Sequence, residues 1–180
     1  MRTHLKFLLL PNLCALLFAS GAYAFDRSDG AHVECAVERD GKQHIVKENW
    51  VGDGAAGDHH PALGGAAAVV RQDSAGWPEM FFDSVVFKGM VARDPHMADF
   101  IFYHECGHAQ DEQLDEIGAN CYALNEMQKL GLMNDAKLAA LAGTHQRMLR
   151  LASRYGGSGK VFWERTLACF EKSVPADQKN

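Results

Sequence analysis

The run His104-Glu105-Cys106-Gly107-His108 constrains this chain more than any other feature. Two imidazoles four residues apart project side by side on an α-helix, where they can share one metal ion. The preceding residues agree with a helix. Asp94 offers an N-cap, Pro95 suits the first helical position, and Met97, Phe100, Ile101 and His104 recur at helical spacing. His104 and His108 are therefore candidate ligands of one Zn2+, and Glu105 lies close enough to take a proton from a metal-bound water. The chemistry this points to is hydrolysis of a peptide bond. Against it stands the bland reading of five ordinary helix residues.

A tetrahedral zinc with two histidines and a water lacks one protein ligand. On an unbroken helix Glu116 would sit roughly 12 Å beyond His108, too far for bonds of about 2 Å. A turn over Gln110-Asp111-Glu112-Gln113, followed by a second helix from Glu116 to Leu130 that stops at Gly131, would bring two helices to one ion. Glu112 lies on the helical face of His108 but lacks the reach on a straight helix. Asp115 remains a rival to Glu116, and the position ten after His104 is Leu114, which cannot bind metal.

This pattern, HExxH followed by Glu116-Ile117-Gly118-Ala119-Asn120, resembles the gluzincin metallopeptidases, particularly HtpX-like and ImmA-like enzymes. The resemblance spans His104 to about Ala123. It implies His104, His108 and Glu116 as zinc ligands, Glu105 as general base, and Asn120 as the partner that orients a ligand histidine. Asparagine stands where HtpX-like enzymes carry aspartate. The implied fold is α+β: a small zincin-like domain with a short N-terminal sheet, an HExxH helix and a helical C-terminal half. The implied partner is a peptide or protein substrate. Tyr103, Tyr122, His145 and Tyr155 have the chemistry of an oxyanion donor, although His145 falls where a helix-surface residue is expected. A non-catalytic exported protein that keeps zinc for structure or binds a partner is the alternative from another class.

At the N-terminus Arg2 and Lys6 precede an apolar stretch, 7–18, and then Ala22-Tyr23-Ala24, the form of a secretory signal peptide with cleavage expected before Phe25. The apolar stretch is too short, and too interrupted by Pro11 and Asn12, for a permanent membrane anchor. Residues 25–180 are then one exported domain, periplasmic or secreted. Loss of Arg2 and Lys6 moves the net charge from −5 to about −7, which with no basic cluster speaks against nucleic-acid binding. Cys35, Cys106, Cys121 and Cys169 remain, and an even number in an oxidising compartment predicts two disulfides. Spacing does not select among the three connectivities. The preferred one is Cys106–Cys121 with Cys35–Cys169.

Elsewhere the chain reads as scaffold. Residues 32–39, an Asp40-Gly41 turn and 42–51 predict a hairpin. Strand signals follow at 67–71 and 79–82, the second a candidate sheet edge on which an extended peptide could be added as a strand. Asp58-His59-His60 reads as a solvated turn, with metal binding the lesser alternative. Asn134 caps a predicted helix over 135–153, and a last helix is predicted over 161–172. Gly156-Gly157-Ser158-Gly159-Lys160 lacks the spacing and the following Ser or Thr of a phosphate loop.

Overall fold

A computed structural model describes residues 25–52, 61–147 and 158–173. Its order is β1 (Phe25–Asp26), β2 (His32–Val33), β3 (Ala36–Arg39), β4 (Lys42–Ile45), β5 (Lys47–Val51), a 3-10 turn (Pro61–Leu63), β6 (Ala68–Gln72) and β7 (Pro78–Asp83). Five helices follow: α1 (Ser84–Val91), α2 (Met97–Gln110), α3 (Glu116–Lys129), α4 (Asp135–Arg147) and α5 (Gly159–Ser173). The molecule is thus mixed α+β, with short N-terminal sheets and a helical C-terminal half. Among the described residues no helix is long and apolar enough to cross a membrane.

The predicted hairpin forms only in part. Asp40 (φ 53°) and Gly41 (φ 69°) adopt the two positive φ values of a tight turn, joining β3 to β4 in the register Arg39↔Lys42. Upstream, however, His32–Val33 leaves to pair with β1, and downstream Lys47–Val51 leaves to run parallel to β7. The hinge points are buried. Val46 donates its N–H to the Cys35 carbonyl (2.8 Å), and both residues sink into the core, so the strands must divide beyond them.

The β5–β7–β6 sheet corrects a second expectation, since Pro78–Asp83 is the central strand and not an edge. Its alternation explains why: Met80 and Phe82 are fully buried, and a strand with so much apolar area on one face is stabilised by neighbours on both sides. At its end Asp83 accepts from Val85 N and Val86 N (2.9 and 3.0 Å), capping α1 and turning the chain out of the sheet.

Helix α2 runs through the centre of the molecule. It touches β3, β6, β7 and α1, and it packs most extensively against α3. Ten of its fourteen residues are buried, which explains its weak sidedness: a helix surrounded by protein needs no polar stripe. Its start also differs from expectation. Asp94 spends its side chain on His96 N (3.1 Å) and on the Thr144 hydroxyl (2.9 Å), and the helix begins at Met97 without a side-chain cap. The chain reverses at Asp111, whose carboxylate accepts from Gln113 N (2.9 Å), and Asp115 caps α3 by accepting from Gly118 N (2.7 Å). At its far end α3 closes on Gly131 (φ 69°), with Leu132 N bonded to Met127 O and Gly131 N to Gln128 O.

The disulfides are Cys35–Cys106 and Cys121–Cys169, which overturns the preferred pairing. Cys106 and Cys121 lie on adjacent helices, both buried, but each bonds a different neighbour. One bridge ties the N-terminal sheets to α2 (Cα–Cα 5.6 Å), and the other ties α3 to α5 (Cα–Cα 5.9 Å). Two such bridges fit an oxidising compartment. In α4 the expected Asn134 cap is present, its side chain accepting from Lys137 N (2.9 Å), and α5 starts two residues earlier than predicted. The rest of the predicted 135–153 helix, together with residues 1–24, Asp58-His59-His60 and Tyr155, lies outside the described residues.

Candidate metal centre

The helical pair α2 and α3 brings His104, His108 and Glu116 together, with one ligand atom from each lying within 4.8 Å of the others. His104 Nε2 stands 3.2 Å from Glu116 Oε2, and His108 Nε2 stands 3.9 Å from Glu116 Oε1. Ligands about 2 Å from a tetrahedral ion are separated by roughly 3.3 Å, so this donor set is already close to the spacing an ion requires. Two imidazoles and a carboxylate are also the donors borderline metals such as zinc accept. Glu116 sits at the first position of α3 because Asp115 takes the cap, and the reversal at Asp111 points that helix start back at His108. Among the described residues this is the only such cluster.

The rival ligands have other work. Glu112 pairs with Arg39 (2.7 Å), and Asp115 is the cap just described. Gly107 lets the helices approach, since a Cβ there would stand 3.1 Å from the Tyr122 ring.

Asn120 lies against the ring of His104. His104 donates its Nδ1–H to Asn120 Oδ1 (2.8 Å), and Asn120 Nδ2 donates to Thr166 Oγ1 (3.2 Å). The Thr166 hydroxyl in turn donates to the Phe162 carbonyl (3.2 Å). Because that hydroxyl spends its hydrogen on Phe162, it accepts from the amide, which leaves Oδ1 to face the histidine and leaves Nε2 as the nitrogen turned to Glu116. Thr166 is fully buried and lies on α5, a site residue that no local motif announces.

Electrostatics set the protons. Burial alone would lower the pKa of His104, but the Glu116 carboxylate and the charge of Glu105 outweigh it and raise the value. Without a metal, His104 and Glu116 therefore form an ion pair that keeps the two helices in register. His108 is lowered, first by burial and then by the neighbouring charge of His104. Glu105 is pushed up to about 7, mainly by burial, with His104 opposing and Glu116 assisting. A carboxyl poised near neutrality can both take and return a proton. A bound cation would lower it again by favouring the anion.

His145 departs from its surface expectation. It is buried at 3% exposure, donates to the Leu141 carbonyl (2.8 Å), stacks on Trp163 (4.6 Å between centroids) and meets the edge of Phe100 (4.8 Å). Burial lowers it to about 4, so it is neutral at physiological pH. Tyr103 is buried beside Arg27, and burial raises Tyr122 to about 12.

Against known families, curated proteins and solved structures, the chain matches no family model, no protein and no structure.

Proposed function

We propose that this chain is an exported zinc-dependent metallopeptidase of zincin type, resembling HtpX-like and ImmA-like gluzincins, and that residues 1–24 are its signal peptide. The supporting observation is the cluster of His104, His108 and Glu116 with Glu105 buried beside it and Asn120 fixing the tautomer of His104. His104 Nε2, His108 Nε2 and a Glu116 oxygen would hold the ion, which when bound polarises a carbonyl and acidifies water. Glu105 takes the proton from the attacking water and delivers it to the departing amine. Asn120 and Thr166 hold the His104 ring so that the donor atom does not rotate away. The substrate is a peptide, and since β7 is central, an added strand would pair with β5 or β6.

The test is elemental analysis of the oxidised protein joined to a peptide-cleavage screen. Wild type is expected to hold about one zinc, which His104→Ala and Glu116→Ala lose. Glu105→Gln should keep zinc and cleave about 10²–10⁴ times more slowly, the usual contribution of a general base. A well-folded wild type that binds no added zinc, or a Glu105→Gln variant with full activity, overturns the reading. A protein that holds zinc and cleaves nothing would be the structural-zinc alternative.

A further inference from the structure

Glu48 is a second unusual carboxylate, on a strand that carries none of the candidate metal ligands. It lies on β5 opposite Met80, one oxygen accepts from the main-chain N–H of Phe25, and Oε2 is buried with no hydrogen-bond partner among the described residues. Among the described residues the basic side chains next to it in the chain and beside Phe25 are engaged elsewhere. Lys47 pairs with Glu79 (3.3 Å) and Arg27 with Asp29 (2.5 Å), while Asp26 and Glu34 add further negative charge. The consequence for Glu48 as it stands is a pKa raised to about 7, chiefly by burial. A buried acceptor left unsatisfied costs about 1–3 kcal/mol, and such a group calls for an explanation.

Phe25 supplies one. It follows Ala22-Tyr23-Ala24, the expected cleavage signal, and its ring is held in the core, stacked on Phe102 (4.6 Å) and edge-on to Phe87 (6.2 Å). Three residues on, Ser28 donates its N–H to Asp99 of α2 (2.9 Å). The nitrogen of Phe25 is thus fixed against Glu48 by packing on both sides. As an amide it brings one hydrogen and no charge.

We propose that hydrolysis of the Ala24–Phe25 bond completes this site, the freed α-ammonium of Phe25 becoming the buried counter-ion of Glu48. A leader-cleaving endopeptidase and one water are consumed. Ala24 leaves as a carboxylate, and the new amine takes up a proton from solvent to offer three donors where one stood. The charged end then satisfies Oε2, and processing is coupled to the packing of the N-terminal segment on α2. An N-terminal residue left in front of Phe25 would carry the charge about 3.8 Å away. The pH behaviour follows. In an unprocessed chain Glu48 holds its proton more tightly folded than unfolded, so stability is greatest at acid pH and falls as pH rises from about 4.5 towards 7. In the processed chain the ammonium depresses Glu48 and removes that loss.

The experiment compares oxidised chains beginning at Phe25 and at Ala24, each with Glu48 and with Glu48→Gln. The chain starting at Phe25 is expected to melt about 5 °C higher at pH 7, a difference that Glu48→Gln abolishes. Equal melting of the two starts, or an equal effect of Glu48→Gln in both, overturns the proposal. Should Glu48→Gln not fold, NMR titration of the ¹⁵N-labelled Phe25 amine decides: a pKa above the ordinary range of about 7.7–8.0 supports the pair, and a value within it does not. N-terminal sequencing of the exported protein must return Phe25. The inference rests on the leader proposed above, but none of these readouts involves metal or peptidase activity, so it fails separately from the metallopeptidase reading.

Discussion

Asn120 is held from both sides, by a histidine on one helix and a hydroxyl on another. Thr166→Val keeps the shape of the side chain but removes the hydroxyl, taking one donor from the Phe162 carbonyl and leaving Asn120 Nδ2 buried without its acceptor at a cost of about 1–3 kcal/mol. The amide then has no reason to keep its oxygen towards His104. Metal affinity is expected to fall about 10–100-fold, the usual loss when a ligand histidine loses its supporting hydrogen bonds, while Thr166→Ser retains it. Zinc titration against a competing chelator measures the difference, and unchanged affinity in Thr166→Val would show that packing alone orients the ring. Little at this scale was legible in advance. His104, His108, Glu105 and Asn120 share a short stretch and a helical period, but Thr166 lies 46 residues beyond Asn120, and His145 is buried by Trp163 from another helix.

Between elements, α2 approaches α3 closely at Gly107, where an added methyl would lie 3.1–3.2 Å from three atoms of Tyr122. Alanine is the better helix former by about 1 kcal/mol, yet overpacking a tight interface costs about 1–3 kcal/mol. Tyr122 projects from a helix and is half-buried, so it cannot swing freely aside, and the steric term is expected to win. Gly107→Ala should lower the melting temperature by a few degrees and weaken zinc binding by spreading Glu116 from the histidines. Calorimetry and metal titration together check both. Helices announced themselves through period and capping, as did the Asp40-Gly41 turn through its chemistry, because these signals are local. The parallel pairing of β5 with β7 spans residues 47–83 and carries no local mark, which is why one hairpin was expected where three separate ladders form.

For the molecule as a whole, the sheets and the helices meet through α2, a junction that Cys35–Cys106 reinforces while Cys121–Cys169 ties α3 to α5. Chelation of zinc from the oxidised protein is therefore expected to leave it folded with a melting temperature lowered by roughly 5–10 °C, the linkage expected for a ligand present at about 100 times its dissociation constant. Chelation after reduction should unfold it far more readily, since each bridge contributes about 2–4 kcal/mol by restricting the unfolded chain. Thermal scans of the four combinations of metal and redox state separate the terms. An oxidised protein whose melting ignores chelation would argue that the ion pair between His104 and Glu116 suffices to hold the helices.

The order of the bridges along the chain has a mechanical consequence. Cys35–Cys106 and Cys121–Cys169 close two loops that neither overlap nor nest, and the stretch from Cys106 to Cys121 is the covalent bridge between them. That stretch carries His108, Glu116 and Asn120. Tension applied to the ends of the molecule bypasses both closed loops and falls on this bridge, which can pay out only about 50 Å. Metal ligation between His104 and Glu116 would clamp it shut, so the candidate metal centre sits where the two cross-linked loops would otherwise be drawn apart.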